Sequence, residues 1–250
     1  MKKIFAMLPC YNEEENIEQL LNKWLLTGEK LRDIHYKLVI VGIDDKSTDN
    51  TLAVLRRLAA EFSEIVVIEH MYNLGLGGGL KTAFRYFIQN GEPGDYCVIM
   101  DGDNSHDPKY IFSMLRIIDM GYYDCIIASR YCNNSETIGV PRFRLLLTFF
   151  AKAYYKCLLH VPNVNDYTCG YRLYSYGIVK KAMEKFEENL ITRNSFACMM
   201  EVLYKLYLVG CRFSEVPFSL RYDAKKGKSK MKFLRTIKES IFTAIDIKLL

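Results

Sequence analysis

The fold is decided by the stretch Cys97-Val98-Ile99-Met100-Asp101-Gly102-Asp103, an apolar run that ends in two aspartates separated by one glycine. A short apolar run bounded by polar residues predicts a buried strand. In open α/β sheets, ligands bind outside the carboxyl ends of the strands, so both carboxylates are expected at a pocket. Two carboxylates this close repel each other unless a cation lies between them. Oxygen ligands on a tight turn suit a hard divalent cation that shares phosphate oxygens, and we therefore predict a metal–diphosphate site.

The residues alone leave other interpretations of this turn open. A calcium-binding loop requires glycine at its sixth position and glutamate at its twelfth, where this chain has His106 and Phe112. A phosphatase nucleophile is expected nearer the start of such a domain. A plain turn that caps the next helix, with Asp107 as N-cap and Pro108 at the first helical position, is compatible with every function.

Apolar strands alternate with helical patterns along the first half of the chain. Strands are predicted at residues 4–8, 38–43, 65–68, 97–100 and 125–128, with amphipathic helices between them. This alternation predicts an α/β fold with a mostly parallel central sheet and helices on both faces. Four strands end in polar clusters, which contain Tyr11 and Glu13, Asp44 and Asp45, Asp101 and Asp103, and Arg130. Because such ends share one edge of a parallel sheet, the clusters predict a common pocket.

Two general features limit the possible partners. The net charge of +5 is modest for 250 residues, and we predict no nucleic-acid partner. The eight cysteines show no C-x-x-C pair, so they are expected to be thiols of a reducing cytosol. The glycine run from Gly75 to Gly79 is interpreted either as a loop that approaches a phosphate or as a tightly packed turn.

The C-terminal part of the chain is expected to meet a membrane, a partner subunit or the sheet itself. No uncharged apolar run is long enough to span a bilayer. The segment 143–160 combines apolar residues with spaced basic ones, and a basic amphipathic helix is predicted over residues 231–250. Both segments suit a membrane surface, although an apolar stripe packed on the protein explains them equally well. We therefore expect one catalytic domain, residues 1–230, followed by this helix.

Three motifs occur in a specific order, namely Pro9-x-Tyr11-Asn12-Glu13, Asp44-Asp45-x-Ser47-x-Asp49-x-Thr51 and Asp101-x-Asp103. With them the chain resembles the family 2 glycosyltransferases, which have the Rossmann-like GT-A fold. Three later segments resemble the branch that contains dolichyl- and polyprenyl-phosphate sugar synthases: Ser129-Arg130-Tyr131, Asp166-x-Thr168-x-Gly170-Tyr171-Arg172 and Gly227-x-Ser229-Lys230. The resemblance extends from Pro9 to about Lys230.

The resemblance implies roles for individual residues. Asp101 and Asp103 are expected to hold Mg²⁺ or Mn²⁺, and Arg130 and Arg144 to lie near phosphates on the acceptor side. The expected nucleotide-sugar-binding residues are Pro9, Tyr11, Glu13, Asp44, Asp45, Asp101, Gly102, Arg221 and Lys230. Within this set, Asp44 or Asp45 is expected to contact the base or ribose, and Lys230 to lie on a loop that closes over the donor.

Two departures from the relatives leave the donor open. Ser105 stands where the relatives often have a metal-binding glutamine. Ala224 stands where they have an arginine, and the nearest arginine is Arg221. The donor is therefore expected to be GDP-mannose or a UDP-hexose.

The expected activity is inverting transfer of a hexosyl group to a polyprenyl or dolichyl phosphate. A phosphate monoester, with a second pKa of about 6, needs no general base near neutral pH. The alternative acceptor is a sugar hydroxyl in surface polysaccharide synthesis, with Asp166 as the base. A nucleotide-sugar-binding module and a metal phosphatase are the other candidates. For a lipid acceptor, the chain is expected in the cytoplasm, on the inner face of a membrane.

Overall fold

The structure is a computed structural model that describes residues 1–226 and 233–249. Its strands are β1 (Lys2–Cys10), β2 (Tyr36–Asp44), β3 (Ile65–Glu69), β4 (Tyr96–Ile99), β5 (Cys125–Ser129), β6 (Glu136–Ile138), β7 (Arg172–Ser175), β8 (Phe213–Pro217) and β9 (Ser219–Arg221). Its α-helices are α1 (Ile17–Asp33), α2 (Thr51–Glu61), α3 (Gly75–Asn90), α4 (Ile111–Ile118), α5 (Arg142–Leu159), α6 (Tyr176–Phe186), α7 (Ala197–Leu208) and α8 (Phe233–Lys248).

The main sheet has seven strands in the order β3-β2-β1-β4-β7-β5-β8. All neighbours are parallel except β7, which runs antiparallel to both β4 and β5. The predicted mostly parallel α/β sheet is confirmed. The chain moves outward from β1 to β3 and then returns to place β4 on the other side of β1. Strand ends on the two sides of such a reversal border a crevice, which is where α/β sheets bind ligands.

The central strands are buried on both sides. In β1, every residue from Ile4 to Leu8 is at most 2% exposed. Because successive strand residues point to opposite faces, this pattern requires helices on both faces of the sheet. Helix α1 supplies part of that cover with its buried Leu20, Leu21 and Trp24, which lie at the spacing of one helical face. Apolar burial of this kind is the main stabilising term of the domain.

The C-terminal part departs from the regular alternation. Strands β6 and β9 form a separate parallel pair, and α5 packs against α8. Among the described residues, every helix is too short or too polar to cross a bilayer. Helix α8, which is expected to be amphipathic, turns Ala244 and Ile247 inward, whereas its Ile241 and Ile245 remain 41% and 45% exposed. The division into a domain of residues 1–230 and a tail stays a prediction.

Candidate active site

The carboxyl ends of β1, β2 and β4 meet at one edge of the sheet. Cys10 of β1 pairs with Asp44 of β2, and the Asp45 amide donates to the Cys10 carbonyl at 2.8 Å. Gly102 brings the turn after β4 against β1. A Cβ at Gly102 would lie 2.8 Å from the Cys10 sulfur and 3.1 Å from the Pro9 carbonyl oxygen, so the close approach requires glycine. The predicted convergence of these strand ends is confirmed.

Asp101 has a partly buried carboxyl group with other carboxylates nearby, and its pKa is raised. Burial and the negative charge of Asp103 raise the pKa of Asp101 to about 7, and Glu13 adds to the effect. Within residues 1–226 and 233–249, the Asp101 carboxylate makes no hydrogen bond. It lies against Gly170, where a Cβ would be 2.9 Å from the Asp101 Oδ1. A carboxylate with this environment favours a cation beside it.

Asp103 is already held by two neighbours. Its Oδ1 accepts hydrogen bonds from the Ser105 hydroxyl at 2.6 Å and the Ser105 amide at 3.1 Å. Its Oδ2 accepts from the Lys225 ammonium at 2.7 Å. Burial alone would raise the pKa of Asp103, but the Lys225 charge outweighs it and the pKa is lowered. Asp103 is therefore ionised, as a metal ligand must be.

Asp101 and Asp103 suit a hard divalent cation that takes other ligands from a substrate. In the part of the chain that the structure describes, no three His, Cys, Asp or Glu side chains form a metal-binding group. A complete protein cage of the calcium type is therefore missing from those residues. Mg²⁺ and Mn²⁺ differ in this respect, since one or two carboxylates, water and phosphate oxygens satisfy them. The donor set fits a metal–diphosphate site. The predicted cap by Asp107, which accepts from the Lys109 amide, is also confirmed.

The two aspartates that end β2 have different environments. Asp45 is engaged, because its carboxylate accepts from His70 Nδ1 and from the Leu74 and Gly75 amides, each at 2.8 Å. Asp44 is 1% exposed, and its buried Oδ1 has no hydrogen-bond partner among the residues that the structure describes. An unpaired buried carboxylate oxygen costs free energy unless a ligand supplies a donor. Of the two predicted base- or ribose-binding residues, the geometry favours Asp44.

Glu13 is buried at the start of the segment that follows β1. Its amide donates to the Thr51 hydroxyl at 2.7 Å, and its Oε2 accepts from Asn16 Nδ2 at 2.8 Å. Pro9 packs against α3, where a Cβ at Gly79 would lie 2.9 Å from the Pro9 Cβ. Tyr11 is 37% exposed. These three predicted nucleotide-sugar residues border the edge that carries Asp101.

The glycine run is a packing device. Gly77 lies under the loop that precedes α7, since a Cβ there would be 1.9 Å from the Arg193 carbonyl oxygen. The N-terminus of α3 already faces a carboxylate, because the Leu74 and Gly75 amides donate to Asp45. Of the two interpretations of this run, the structure supports the tightly packed turn.

Arg130, which is expected on the acceptor side, forms a buried ion pair with Asp166. Arg130, which follows β5, donates from Nε and Nη2 to Asp166 at 2.8 and 2.6 Å, and from Nη2 to the Thr168 hydroxyl at 2.6 Å. The Arg130 side chain is 19% exposed and the Asp166 side chain is fully buried. Asp166 also accepts from the main-chain amides of Arg130, Thr168 and Cys169. Burial would raise the pKa of Asp166, but Arg130 lowers it.

Three other predicted site residues, Arg221, Lys230 and Arg144, have no described contact with the acidic residues of this edge. Arg221 is exposed and pairs with Asp223 at 2.8 Å, while its amide donates to the Ser105 carbonyl at 3.0 Å. Lys230 lies outside the described residues, as do Gly227 and Ser229. Arg144 is part of α5, and its side chain is likewise outside what the structure describes.

Three site neighbours escaped the sequence reasoning. Lys225 belongs to a run of lysines in the sequence, and only its contact with Asp103 in the fold identifies it as a neighbour of the site. Asn16 binds both Glu13 and the main chain of Lys226. His106 is buried between Tyr171 and Phe218, with ring centroids 5.6 and 5.5 Å away. Apart from the contact of Asn16 with Glu13, the partners of these residues lie far away in the chain, so no local pattern signals their positions.

The sheet, its reversal at β1 and the acidic edge define an α/β protein with a candidate ligand crevice at the carboxyl ends of its strands. The family model described as "Glycosyl transferase family 2" matches residues 6–182. This chain belongs to glycosyltransferase family 2 and is a glycosyltransferase. The GT-A fold that the sequence resemblance implied is confirmed by the structure and its neighbours.

Two relatives cover most of the chain. An undecaprenyl-phosphate mannosyltransferase of Micrococcus luteus is 26% identical over 92% of this chain and 87% of its own length. A polyprenol monophosphomannose synthase of Mycolicibacterium smegmatis is 27% identical over 98% of this chain and 86% of its own. Among solved structures, a glucosyl-3-phosphoglycerate synthase of Mycobacterium tuberculosis, in complex with Mn²⁺, UDP and glucosyl-3-phosphoglycerate, has a TM-score of 0.69 at 16% identity. That alignment covers 100% of this chain and 81% of the other.

Proposed function

We propose that this glycosyltransferase moves one hexosyl group from GDP-mannose or a UDP-hexose to the phosphate of a polyprenyl or dolichyl phosphate, with inversion at the anomeric carbon. The two relatives named above act on lipid phosphates by name. The observation that carries the proposal is that one segment contacts both groups: Asp166 and Thr168 bind Arg130, and Gly170, two residues further on, lies against the Asp101 carboxylate. An arginine held next to a metal–diphosphate site suits a second phosphate as the acceptor.

On the donor side, each residue has a distinct task in this proposal. Asp44 accepts a hydrogen bond from the base or ribose with its unpaired Oδ1, while Pro9, Tyr11 and Glu13 border the nucleotide. Asp101 and Asp103 would hold Mg²⁺ or Mn²⁺, and a metal bound there would neutralise the charge that develops on the leaving diphosphate.

On the acceptor side, Arg130 positions the phosphate. Its Nε and Nη2 are used by Asp166 and Thr168, whereas its Nη1 makes no hydrogen bond to any residue that the structure describes. The free Nη1 donors are then available to a phosphate oxygen. That oxygen forms the new bond to the anomeric carbon as the bond to the nucleoside diphosphate breaks.

The environment of Asp166 argues against the alternative with a sugar-hydroxyl acceptor. A general base needs an accessible oxygen and a pKa near the working pH. The Asp166 carboxylate is fully buried, bound by Arg130 and three main-chain amides, and its pKa is lowered. We infer that Asp166 positions Arg130 instead of accepting a proton from the acceptor.

A membrane-facing surface accompanies this function. Helices α5 and α8 pack together, with the Tyr154 hydroxyl donating to the Ile241 carbonyl at 3.0 Å. Large apolar residues remain exposed on both helices: Phe149 60%, Phe150 59%, Ile241 41%, Phe242 55% and Ile245 45%. Such a surface suits shallow insertion into the interface of a bilayer. We propose that it places the protein on the cytoplasmic face of the membrane that holds the lipid phosphate.

The test of the activity uses a panel of donors and a matched pair of acceptors. The protein is incubated with Mn²⁺ and each of several GDP- and UDP-sugars, with either polyprenyl phosphate or the corresponding polyprenol. We expect one donor to give a lipid-extractable, mild-acid-labile sugar phosphate with the phosphate acceptor and no product with the alcohol. Equal transfer to the polyprenol would contradict the proposal.

The same reactions decide between the enzyme and its rivals. Without an acceptor, slow donor hydrolysis to the nucleoside diphosphate supports a transferase, whereas release of inorganic phosphate indicates a phosphatase. Donor binding without any turnover indicates a binding module. Flotation with liposomes that contain anionic lipid tests the membrane surface, and a protein that stays at the bottom of the gradient refutes it. If the protein floats with the liposomes only when a second protein is present, a membrane partner subunit is indicated.

A further inference from the structure

Lys225 occupies a position that a bound metal would also need. The ammonium lies 2.7 Å from Asp103 Oδ2, and the two side chains are only 11% and 14% exposed. The other Asp103 oxygen accepts from Ser105. Within the described residues, both oxygens of this predicted metal ligand are therefore engaged. The cation that neutralises Asp103 in the free protein comes from the chain itself.

Lys225 belongs to a short segment, residues 222–226, that we call the strap. Before the strap, the Arg221 amide donates to the Ser105 carbonyl at 3.0 Å. At its far end, the Lys226 amide donates to Asn16 Oδ1 at 2.9 Å and the Lys226 carbonyl accepts from Asn16 Nδ2 at 3.1 Å. Asn16 is 2% exposed, so this clamp is buried. A main chain fixed on both sides of Lys225 reduces the entropy cost that weakens ordinary surface ion pairs.

The charges around Lys225 make its ammonium group compete with a divalent cation for the Asp103 carboxylate. Arg130, another cation near this edge, is already paired with Asp166. The Lys225 charge acts on both Asp101 and Asp103, and Glu13 acts on Lys225 in turn. A divalent ion that binds Asp103 through Oδ2 takes the oxygen that the ammonium uses. Two cations at one oxygen also repel each other, so the ammonium has to move when the metal arrives.

We propose that Lys225 is a built-in counter-cation that excludes the divalent metal from Asp103 until a nucleoside diphosphate is bound. This proposal rests on the metal–diphosphate site of the proposed function and adds an order of binding to it. The phosphate oxygens of the nucleotide supply new acceptors for the displaced ammonium. Metal and nucleotide then bind cooperatively, because each removes part of the cost of the other.

The first experiment measures metal binding without nucleotide. Mn²⁺ is titrated into the protein by calorimetry for the wild type, Lys225→Met and Lys225→Arg. Methionine keeps much of the side-chain length and removes the charge, so we expect about tenfold tighter Mn²⁺ binding, one charged contact being removed. Lys225→Arg keeps the competing charge and should bind Mn²⁺ as weakly as the wild type. Lys226→Met is the charge-matched control, because its side chain is exposed; we expect its Mn²⁺ affinity within twofold of the wild type.

The second experiment measures nucleotide binding, for which the same substitution is expected to have the opposite effect. At saturating Mn²⁺, GDP and UDP are titrated separately, and the nucleotide that binds the wild type is used for the variants. We expect Lys225→Met to bind it about tenfold more weakly, because a charge-assisted hydrogen bond to phosphate is lost. Tighter metal binding together with weaker nucleotide binding is a combination that a merely structural role of Lys225 does not produce. Circular dichroism of each variant confirms that it is folded.

If Lys225→Met binds Mn²⁺ no more tightly than the wild type in the absence of nucleotide, or shows no detectable binding, the proposal that Lys225 excludes the metal is overturned. That outcome is distinct from failure of the proposed function, in which the wild type gives no lipid product with any donor. Since the metal titration needs no turnover, it decides the role of Lys225 in either case.

Discussion

The proposed donor half of the site, around Asp101, and the proposed acceptor half, around Arg130, are built by different means on one sheet. In the donor half, β1, β2 and β4 bring carboxylates together through main-chain pairing, with Cys10 beside Asp44 and Gly102 against Cys10. In the acceptor half, Arg130 is placed by Asp166, and the amides of Asn165 and Asp166 donate to Glu215 on β8, each at 2.7 Å. Strand register builds the first half of the site, and buried side-chain charges build the second.

The largest effect is expected from Asp103→Asn in the donor half. The substitution keeps the shape of the side chain but removes the charge that both the metal and Lys225 use. We expect transfer to fall on the order of a thousandfold, since stabilisation of the leaving diphosphate is lost. Mn²⁺-dependent binding of the nucleoside diphosphate should fall with it. A variant that retains metal-dependent binding and turnover would show that Asp103 is not the metal ligand.

The next largest effect is expected from Asp166→Asn in the acceptor half. Breaking a buried ion pair on one side leaves the Arg130 charge uncompensated, and the free energy of unfolding should fall by about 3 kcal/mol. Transfer to polyprenyl phosphate should fall roughly a hundredfold as Arg130 loses its orientation, while nucleotide affinity stays within twofold. Denaturant unfolding, transfer assays and nucleotide titration check the three expectations. If nucleotide affinity collapses with transfer, the two halves are not independent.

The same contrast explains which features the sequence predicts. Strands 4–8, 38–43 and 97–100 are continuous apolar runs, and the acidic residues follow them directly, so the donor edge follows from local patterns. Strand β7 is a different case, since it inserts antiparallel between β4 and β5 and its Arg172 is fully buried. The pair of Lys225 with Asp103 joins residues far apart in the chain. Local periodicity carries no information about such contacts, whereas the family resemblance located Arg130 and Asp166 without giving their geometry.

His106 connects the two halves and should make the fold sensitive to acid. It is 5% exposed, and no residue in the described part of the chain makes a hydrogen bond to its Nδ1. Burial lowers the pKa of His106 to about 4, and the charged groups that act on it are Asp103, Arg130, Asp166 and Lys225. Between pH 6.5, where an unfolded histidine takes up its proton, and pH 4, the unfolded state binds more protons than the folded one. Stability is therefore lost as the pH falls, by about 3 kcal/mol for a shift of this size.

His106→Phe tests that contribution. Phenylalanine fits the aromatic contacts with Tyr171 and Phe218 and does not take up a proton. We expect the difference in unfolding free energy between pH 6.5 and pH 4 to shrink by about 3 kcal/mol relative to the wild type. Chemical denaturation at several pH values measures it. The other three histidines remain in the variant, so an unchanged pH dependence would assign the acid sensitivity to them or to the carboxylates.

The smallest effect on the folded protein, and a selective one on membrane binding, is expected from Phe149→Ser combined with Phe242→Ser. Both rings are more than half exposed, at 60% and 55%, so the free energy of unfolding should change by less than about 0.5 kcal/mol. Loss of two aromatic rings from an interfacial surface should weaken binding to anionic vesicles on the order of tenfold or more. Tyr122→Ser is the matched control, because this 68% exposed aromatic follows α4, a helix that packs against β5, β7 and β8. If vesicle binding falls equally in the control, the apolar surface of α5 and α8 is not what meets the lipid. If only the double variant loses vesicle binding and its donor hydrolysis stays intact, the membrane is needed for access to the lipid acceptor and not for use of the donor.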